Sequence, residues 1–229
     1  MILCYHRINP WYKNDALTVK PEEFKKQINY LISKKFEFVH LKQYISFPNS
    51  VQKRKIVITF DDGFEDNFLF AYEILKNLSI PFIIFLTVNF IGTENLLPRY
   101  KNKKKDRFLT WNEIIEMSKN GVEIGSHSLT HPALTELKKE DMEKEIINSK
   151  KIIEDRISKE VKFFSYPYGV YNKEVIEVVK KAGYEGALVN RKKRMKITQY
   201  TIPRVGIYGH NNFFIFKIKI WREFIREKF

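Results

Sequence analysis

Short apolar runs along this chain alternate with longer stretches in which apolar residues recur every three or four positions. Parallel strands joined by covering helices produce that alternation. β-Branched and aromatic runs predict strands at Ile2–Tyr5, Phe36–His40, Ile56–Phe60, Phe82–Thr87, Val122–Gly125, Val161–Ser165, Gly186–Val189 and Ile202–Ile207. Pro21-Glu22-Glu23 opens a helix with Phe24, Ile28, Leu31 and Ile32 on one face, and Phe68–Leu78 forms another with Leu75 and Leu78 inward. Thr110 and Glu113 make a capping box for a helix ending near Gly121. Two more helices come later: Leu137–Ile157, apolar at Met142, Ile146, Ile153 and Ile157, and Lys173–Ala182, apolar at Val175, Ile176 and Val179. The polar, Lys-rich stretch from Thr93 to Arg107 reads as a surface loop. Strands each followed by a helix or loop predict an α/β fold, a distorted (β/α) barrel of about seven strands, with residues 1–229 as one domain.

The last segment carries a pattern of its own. Phe214, Ile218, Trp221, Ile225 and Phe229 recur at helical spacing among Lys217, Lys219, Arg222, Arg226 and Lys228, and Asn212 stands where a cap would. Such a helix either packs its stripe on the barrel or lies against an anionic membrane.

Charge widens the set of partners without choosing one: 41 Lys and Arg against 27 Asp and Glu leave +14, which attracts phosphate-rich surfaces. The basic runs Lys101-Asn102-Lys103-Lys104-Lys105 and Arg191-Lys192-Lys193-Arg194 lack the aromatic interleaving of a nucleic-acid module, so solvated loops and no nucleic-acid partner are expected. The single Cys4 builds no internal disulfide framework. No apolar stretch approaches the roughly 20 residues that span a bilayer. The opening Met-Ile-Leu-Cys-Tyr-His-Arg lacks the pattern of a secretory signal, so a cytoplasmic location is expected, peripheral at the inner membrane face if the last helix binds lipid.

Candidate chemistry sits where predicted strands end, which in a (β/α) barrel is one mouth. Asp61 and Asp62, in Thr59-Phe60-Asp61-Asp62-Gly63, point different ways because side chains alternate, so one carboxylate can hold a metal and the other a proton; a plain Asp-Asp-Gly turn is the alternative. His127 and His131, in His127-Ser128-Leu129-Thr130-His131, bring two imidazoles to one side of a tight turn. With one carboxylate they leave an open position on a divalent ion; a pair of surface histidines is the alternative. In Ser165-Tyr166-Pro167-Tyr168-Gly169, Pro167 stiffens a turn that can aim the Tyr168 amide at a reacting oxygen. His6 also ends a strand. His40 reads as a packing or hydrogen-bonding residue outside the site, and Trp111 as core or a substrate wall.

In this order the three runs resemble the polysaccharide deacetylase family, the NodB-homology domain of carbohydrate esterase family 4, in a compact form. Leu3-Cys4-Tyr5-His6-Arg7, Ala182-Gly183-Tyr184 and Ile202-Pro203-Arg204-Val205 extend the resemblance over nearly the whole chain. It implies a NodB-type barrel and a hydrolase removing an N-acyl group, foremost N-acetyl, from an amino sugar in a glycan or a lipid- or nucleotide-linked precursor. Asp61 would be the general base; Asp62, His127 and His131 would hold a divalent ion, zinc first, with cobalt, nickel, manganese or iron as alternatives; the Tyr168 amide would serve an oxyanion hole. Long-pattern members carry an Arg before the Pro-Tyr turn, an Asp-x-x-Asp-Trp run and a late Leu-x-x-His whose His is the acid. Here Ser165 and Tyr166 stand in place of that Arg, Asn190 and its basic neighbours follow the penultimate strand, and Tyr208-Gly209-His210 is a loose match to the last motif. Arg204 is expected to replace the missing Arg as the partner of Asp61. For the acid, His6 comes first, His210 second and Asp61 acting twice third. Two other readings stay open: a barrel that binds glycan without turnover, and a deformylase or amidase acting on another non-peptide carbon–nitrogen bond.

Overall fold

The computed structural model describes residues 1–11, 15–46, 54–95, 106–190 and 196–226. The basic runs 101–105 and 191–194, together with 228 and 229, lie outside the described residues. The strands are β1 (Ile2–Tyr5), β2 (Arg7–Ile8), β3 (Thr18–Val19), β4 (Glu37–Phe38), β5 (Lys55–Phe60), β6 (Phe82–Leu86), β7 (Glu94–Asn95), β8 (Asp106–Arg107), β9 (Glu123–Ser126), β10 (Phe163–Ser165), β11 (Gly186–Asn190) and β12 (Ile202–Gly206). The helices are α1 (Pro21–Ser33), α2 (Leu41–Ser46), α3 (Glu73–Asn77), α4 (Trp111–Lys119), α5 (Lys139–Ile157), α6 (Lys173–Lys181) and α7 (Phe213–Arg226).

Seven parallel strands close on themselves in the order β1-β12-β11-β10-β9-β6-β5, with β5 pairing back to β1 and the short β4 added outside β5. Both faces of the barrel strands are buried, which is why β5 and β6 read as near-continuous apolar runs. Alternation divides them. Leu3, Tyr5, Ile58, Phe60, Ile84 and Leu86 join the large core with the helices, whereas Ile2, Val57, Ile83, Phe85, Phe163, Leu188 and Ile202 form a second cluster. Arg204 shows which way the second set faces. From β12 it reaches Thr59 and Asp61 at β5, Ser165 on β10 and the Phe85 ring on β6, none of them on a neighbouring strand, so these side chains meet inside the barrel. The same parity carries Cys4, Thr59, Asp61, Ser165, Asn190 and Arg204 inward. Gly125 makes room for that filling: a Cβ there would stand 2.4 Å from the Phe85 ring.

One local expectation holds and several change in detail. The capping box of Thr110 and Glu113 forms at α4. The expected helix Phe68–Leu78 begins instead as a π-helical turn, Asn67–Tyr72, which inserts an extra residue per turn and rotates the residues of α3 about the helix axis; Leu78 ends exposed rather than inward. Ile32 is also exposed, because Phe24, Ile28 and Leu31 already fill the buried face of α1. Of the stretch from Thr93 to Arg107 expected to be a surface loop, residues 96–105 lie outside the described residues, and its two ends pair as the antiparallel strands β7 and β8. In α7 the inward residues are Phe216, Ile220 and Glu223, with Phe213 and Phe224 packed beside them, while Phe214, Ile218, Trp221 and Ile225 face outward. Packing of that stripe on the barrel is therefore overturned. Among the described residues no helix is long and apolar enough to cross a membrane.

Candidate active site

Asp61 and Arg204 form the floor of the site. Arg204 Nη1 and Nη2 donate to the two carboxylate oxygens of Asp61 at 2.7 and 2.6 Å, a bidentate pair inside the barrel with both side chains almost fully buried. Thr59 Oγ1 and Ser165 Oγ take further guanidinium protons at 3.2 and 2.9 Å. Burial pushes the Asp61 carboxyl up, and the Arg204 charge more than offsets it, holding the group below the usual carboxylate range. Asp61 is thus kept ionised although it is almost fully buried.

Next to it in sequence, Asp62 turns the other way. Its backbone lies in the left-handed region at φ 75°, and its Oδ1 stands 3.5 Å from His127 Nε2 and 3.4 Å from His131 Nε2. The donor atoms of Asp62, His127 and His131 lie within 4.8 Å of one another, all buried, a set that could hold a metal ion. His127 fits such an ion in a specific way: its Nδ1 lies 2.6 Å from the Ser165 carbonyl, which only accepts, so Nδ1 carries the proton and Nε2 presents its lone pair to the cluster. The loop between the histidines is held from α5. Glu145 accepts from the Leu129 and Thr130 amides at 2.8 and 2.9 Å and from the Thr130 hydroxyl at 2.6 Å. Ser128 and His131 both take positive φ there.

Above the carboxylates the Pro167 turn bends through Tyr168 at φ 58° and Gly169 at φ 64°, and the Tyr168 ring packs edge-on to His131 at 4.5 Å. Of eight non-glycine residues with positive φ among those described, four (Asp62, Ser128, His131 and Tyr168) belong to the three runs, a concentration of backbone strain typical of functional sites. A cavity of about 190 Å³ opens here, lined by His6, Leu17, Asp61, His127, His131, Tyr166, Tyr168, Gly169, Asn190 and Tyr208.

Residues 49–187 match the sequence profile of the polysaccharide deacetylase family. A poly-beta-1,6-N-acetyl-D-glucosamine N-deacetylase of Staphylococcus aureus strain MSSA476 is 30% identical over 220 residues, covering 90% of this chain and 73% of that protein. The chain belongs to the polysaccharide deacetylase family. YxkH of Bacillus subtilis is 28% identical over 187 residues, 80% of this deacetylase-family chain, which spans 62% of YxkH's length. Among solved structures, the Streptococcus pyogenes deacetylase PplD has a TM-score of 0.78 at 20% identity, covering 95% of this chain and 96% of that one. IcaB from Ammonifex degensii has 0.77 at 19%, covering 96% and 95%. At these identities the likeness is one of fold.

Within this family member, His6, Asp61, His127, His131 and Tyr168 meet at one cavity, with Asp62 and Arg204 behind it. His210, the second candidate acid, is exposed and stacks on Tyr208 instead of lining the cavity. His40 lies 3.5 Å from Glu123, away from the cavity lining, and Trp111 packs against the core under Arg156. A second donor group, Cys4, His6 and Asp61, also lies within 4.8 Å. It suits a metal poorly, since Arg204 engages both Asp61 oxygens and burial pushes the Cys4 thiol well above its ordinary range. Sequence reasoning missed Glu145, Asn190 and Tyr208 as parts of the site. Asn190 and Tyr208 each lie at or just past a strand end, the position that flagged the others; Glu145, on a helix, carried no such signal.

Proposed function

We propose that this chain is a metal-dependent hydrolase that removes the N-acetyl group from an amino sugar of a glycan, with zinc as the resident ion. The observation that carries this reading is Asp61, buried and held ionised by Arg204, opening on the same cavity as the His127 and His131 rings. Asp62, His127 and His131 would hold the ion, which when bound supplies Lewis acidity toward a water and the acyl oxygen. Asp61 takes the proton of the attacking water, and Arg204 positions it and keeps it deprotonated between turnovers. The Tyr168 amide, aimed by its left-handed turn, donates to the oxygen that becomes negative. His6, which lines the same cavity, gives a proton to the departing amine, and the Tyr168 and Tyr208 rings flank the sugar.

The S. aureus relative's name makes a β-1,6-linked N-acetylglucosamine oligomer the first substrate to try. The test pairs metal analysis of the purified protein with acetate and formate release from N-acetylated and N-formylated amino sugars. Bound zinc and acetate release are expected. Formate release alone would turn the reading to a deformylase, and bound metal without any release to a glycan-binding barrel. Absence of both metal binding and release would overturn it.

A further inference from the structure

Among the described residues, the outward stripe of α7 gathers more exposed large apolar side chains than any other helix: Phe214 is 65% exposed, Ile218 40%, Trp221 58% and Ile225 39%. At about 100° per residue these four fall within an arc of about 60°. The opposite face is fully engaged, with Phe213 and Phe216 edge-on to Tyr30 of α1 and Phe224 edge-on to Phe36. The stripe is therefore not the face by which α7 packs on the barrel.

Charge decides what the stripe suits. On the same helical wheel Lys217 and Arg222 lie about 70° to either side of it, with Arg226 further round. The one acid among the described residues of α7 is Glu223, which is buried and accepts from Arg226. Stripe against stripe, a second copy of this chain would set lysine and arginine against lysine and arginine along both flanks, with no outward carboxylate among the described residues of α7 to pair. An anionic lipid surface suits both features: the ridge enters the boundary between acyl chains and headgroups while the flanking cations reach phosphates. At 14 residues, about 21 Å, the helix is too short to span a bilayer and long enough to lie in its plane.

We propose that the outer face of α7 docks this protein on an anionic membrane surface. The docking has a defined relation to the cavity. Tyr208 is one of its walls; the Asn211 side chain accepts from the Tyr208 amide at 3.0 Å and from Lys219 Nζ at 2.6 Å, tying that wall to the second turn of α7. A helix lying on lipid keeps the mouth of the barrel beside the membrane, whatever bond the cavity hydrolyses.

Sedimentation with vesicles tests this. Wild-type protein is expected to pellet with vesicles of phosphatidylcholine and phosphatidylglycerol at about 3:1 and to bind phosphatidylcholine alone at least about tenfold less. The double variant Phe214→Ser/Trp221→Ser should lose binding by at least about tenfold with its thermal midpoint unchanged, since both side chains face outward. Lys217→Gln/Arg222→Gln, which leaves the ridge intact, should lose about 25-fold, near fivefold for each cation. Equal binding to both vesicle types, no binding to either, or variants that pellet like wild type would overturn the proposal. So would a wild-type dimer, seen by light scattering, that the Phe214→Ser/Trp221→Ser variant dissociates.

Discussion

Replacing Arg204 by Met keeps the unbranched stem of the side chain and removes the guanidinium that sits on Asp61. In the folded protein this leaves a nearly buried carboxylate with two strong hydrogen bonds lost, at 2.7 and 2.6 Å, and only the longer contacts from Ser165 Oγ and Cys4 Sγ, at 3.3 and 3.5 Å, beside it. Breaking one side of a buried ion pair costs about 3–5 kcal/mol. For a chain of this size that corresponds to a fall in thermal midpoint of roughly 6–20 °C. The assay is urea unfolding of metal-free protein, run as a cycle with Asp61→Asn and the double variant. The double variant should be less destabilised than the sum of the single variants, because removing both charges leaves no unpaired one. The pH dependence has a definite sign. The folded Asp61 is held below its unfolded value, so the pair contributes fully above about pH 4 and its contribution fades as the pH falls through the folded value. The gap between wild type and Arg204→Met should therefore be widest near neutrality and narrow in acid. A gap below about 1 kcal/mol at neutral pH, or additive single variants, would mean that Arg204 and Asp61 are not a coupled buried pair.

Glu145→Ala removes three bonds to the loop between His127 and His131 and should weaken metal affinity about 10- to 100-fold in a chelator competition; unchanged affinity would count against a positioning role. Gly125→Ala places a methyl group against the Phe85 ring inside the barrel and should cost about 1–3 kcal/mol in urea unfolding; a neutral result would mean the interior has slack. His6→Gln should lower turnover of an N-acetyl sugar by about 10²–10⁴. An aryl acetate, whose leaving group needs no proton, should lose far less, and equal losses on both substrates would remove His6 from the acid role.

The barrel was legible because its strands are short apolar runs ending in polar residues, and a closed parallel sheet sends those endings to one mouth. Alternation alone puts Asp61 on the face of Val57 and Thr59 and Arg204 on the face of Ile202, although which face turns inward and which strands stand across from each other are properties of closure that no local pattern contains. The inward face of α7 was not legible for a related reason. Both of its faces are apolar, so Phe214, Ile218, Trp221 and Ile225 and the buried pair Phe216 and Ile220 look alike until α1 supplies Tyr30 to one of them. The π-helical turn at Asn67–Tyr72 shifted the face of the adjoining helix by a residue that sequence spacing does not announce. Glu145 escaped notice because its work is done through backbone amides, which leave no signature at the partner positions.

The proposed roles, Asp61 as base beside a metal held by Asp62, His127 and His131, meet their sharpest test when metal content and acetate release are measured together on Asp61→Asn and wild type. Asp61→Asn is expected to keep one equivalent of metal while turnover falls by at least about 100-fold. Wild-type turnover in the variant, or metal lost together with activity, would contradict those roles.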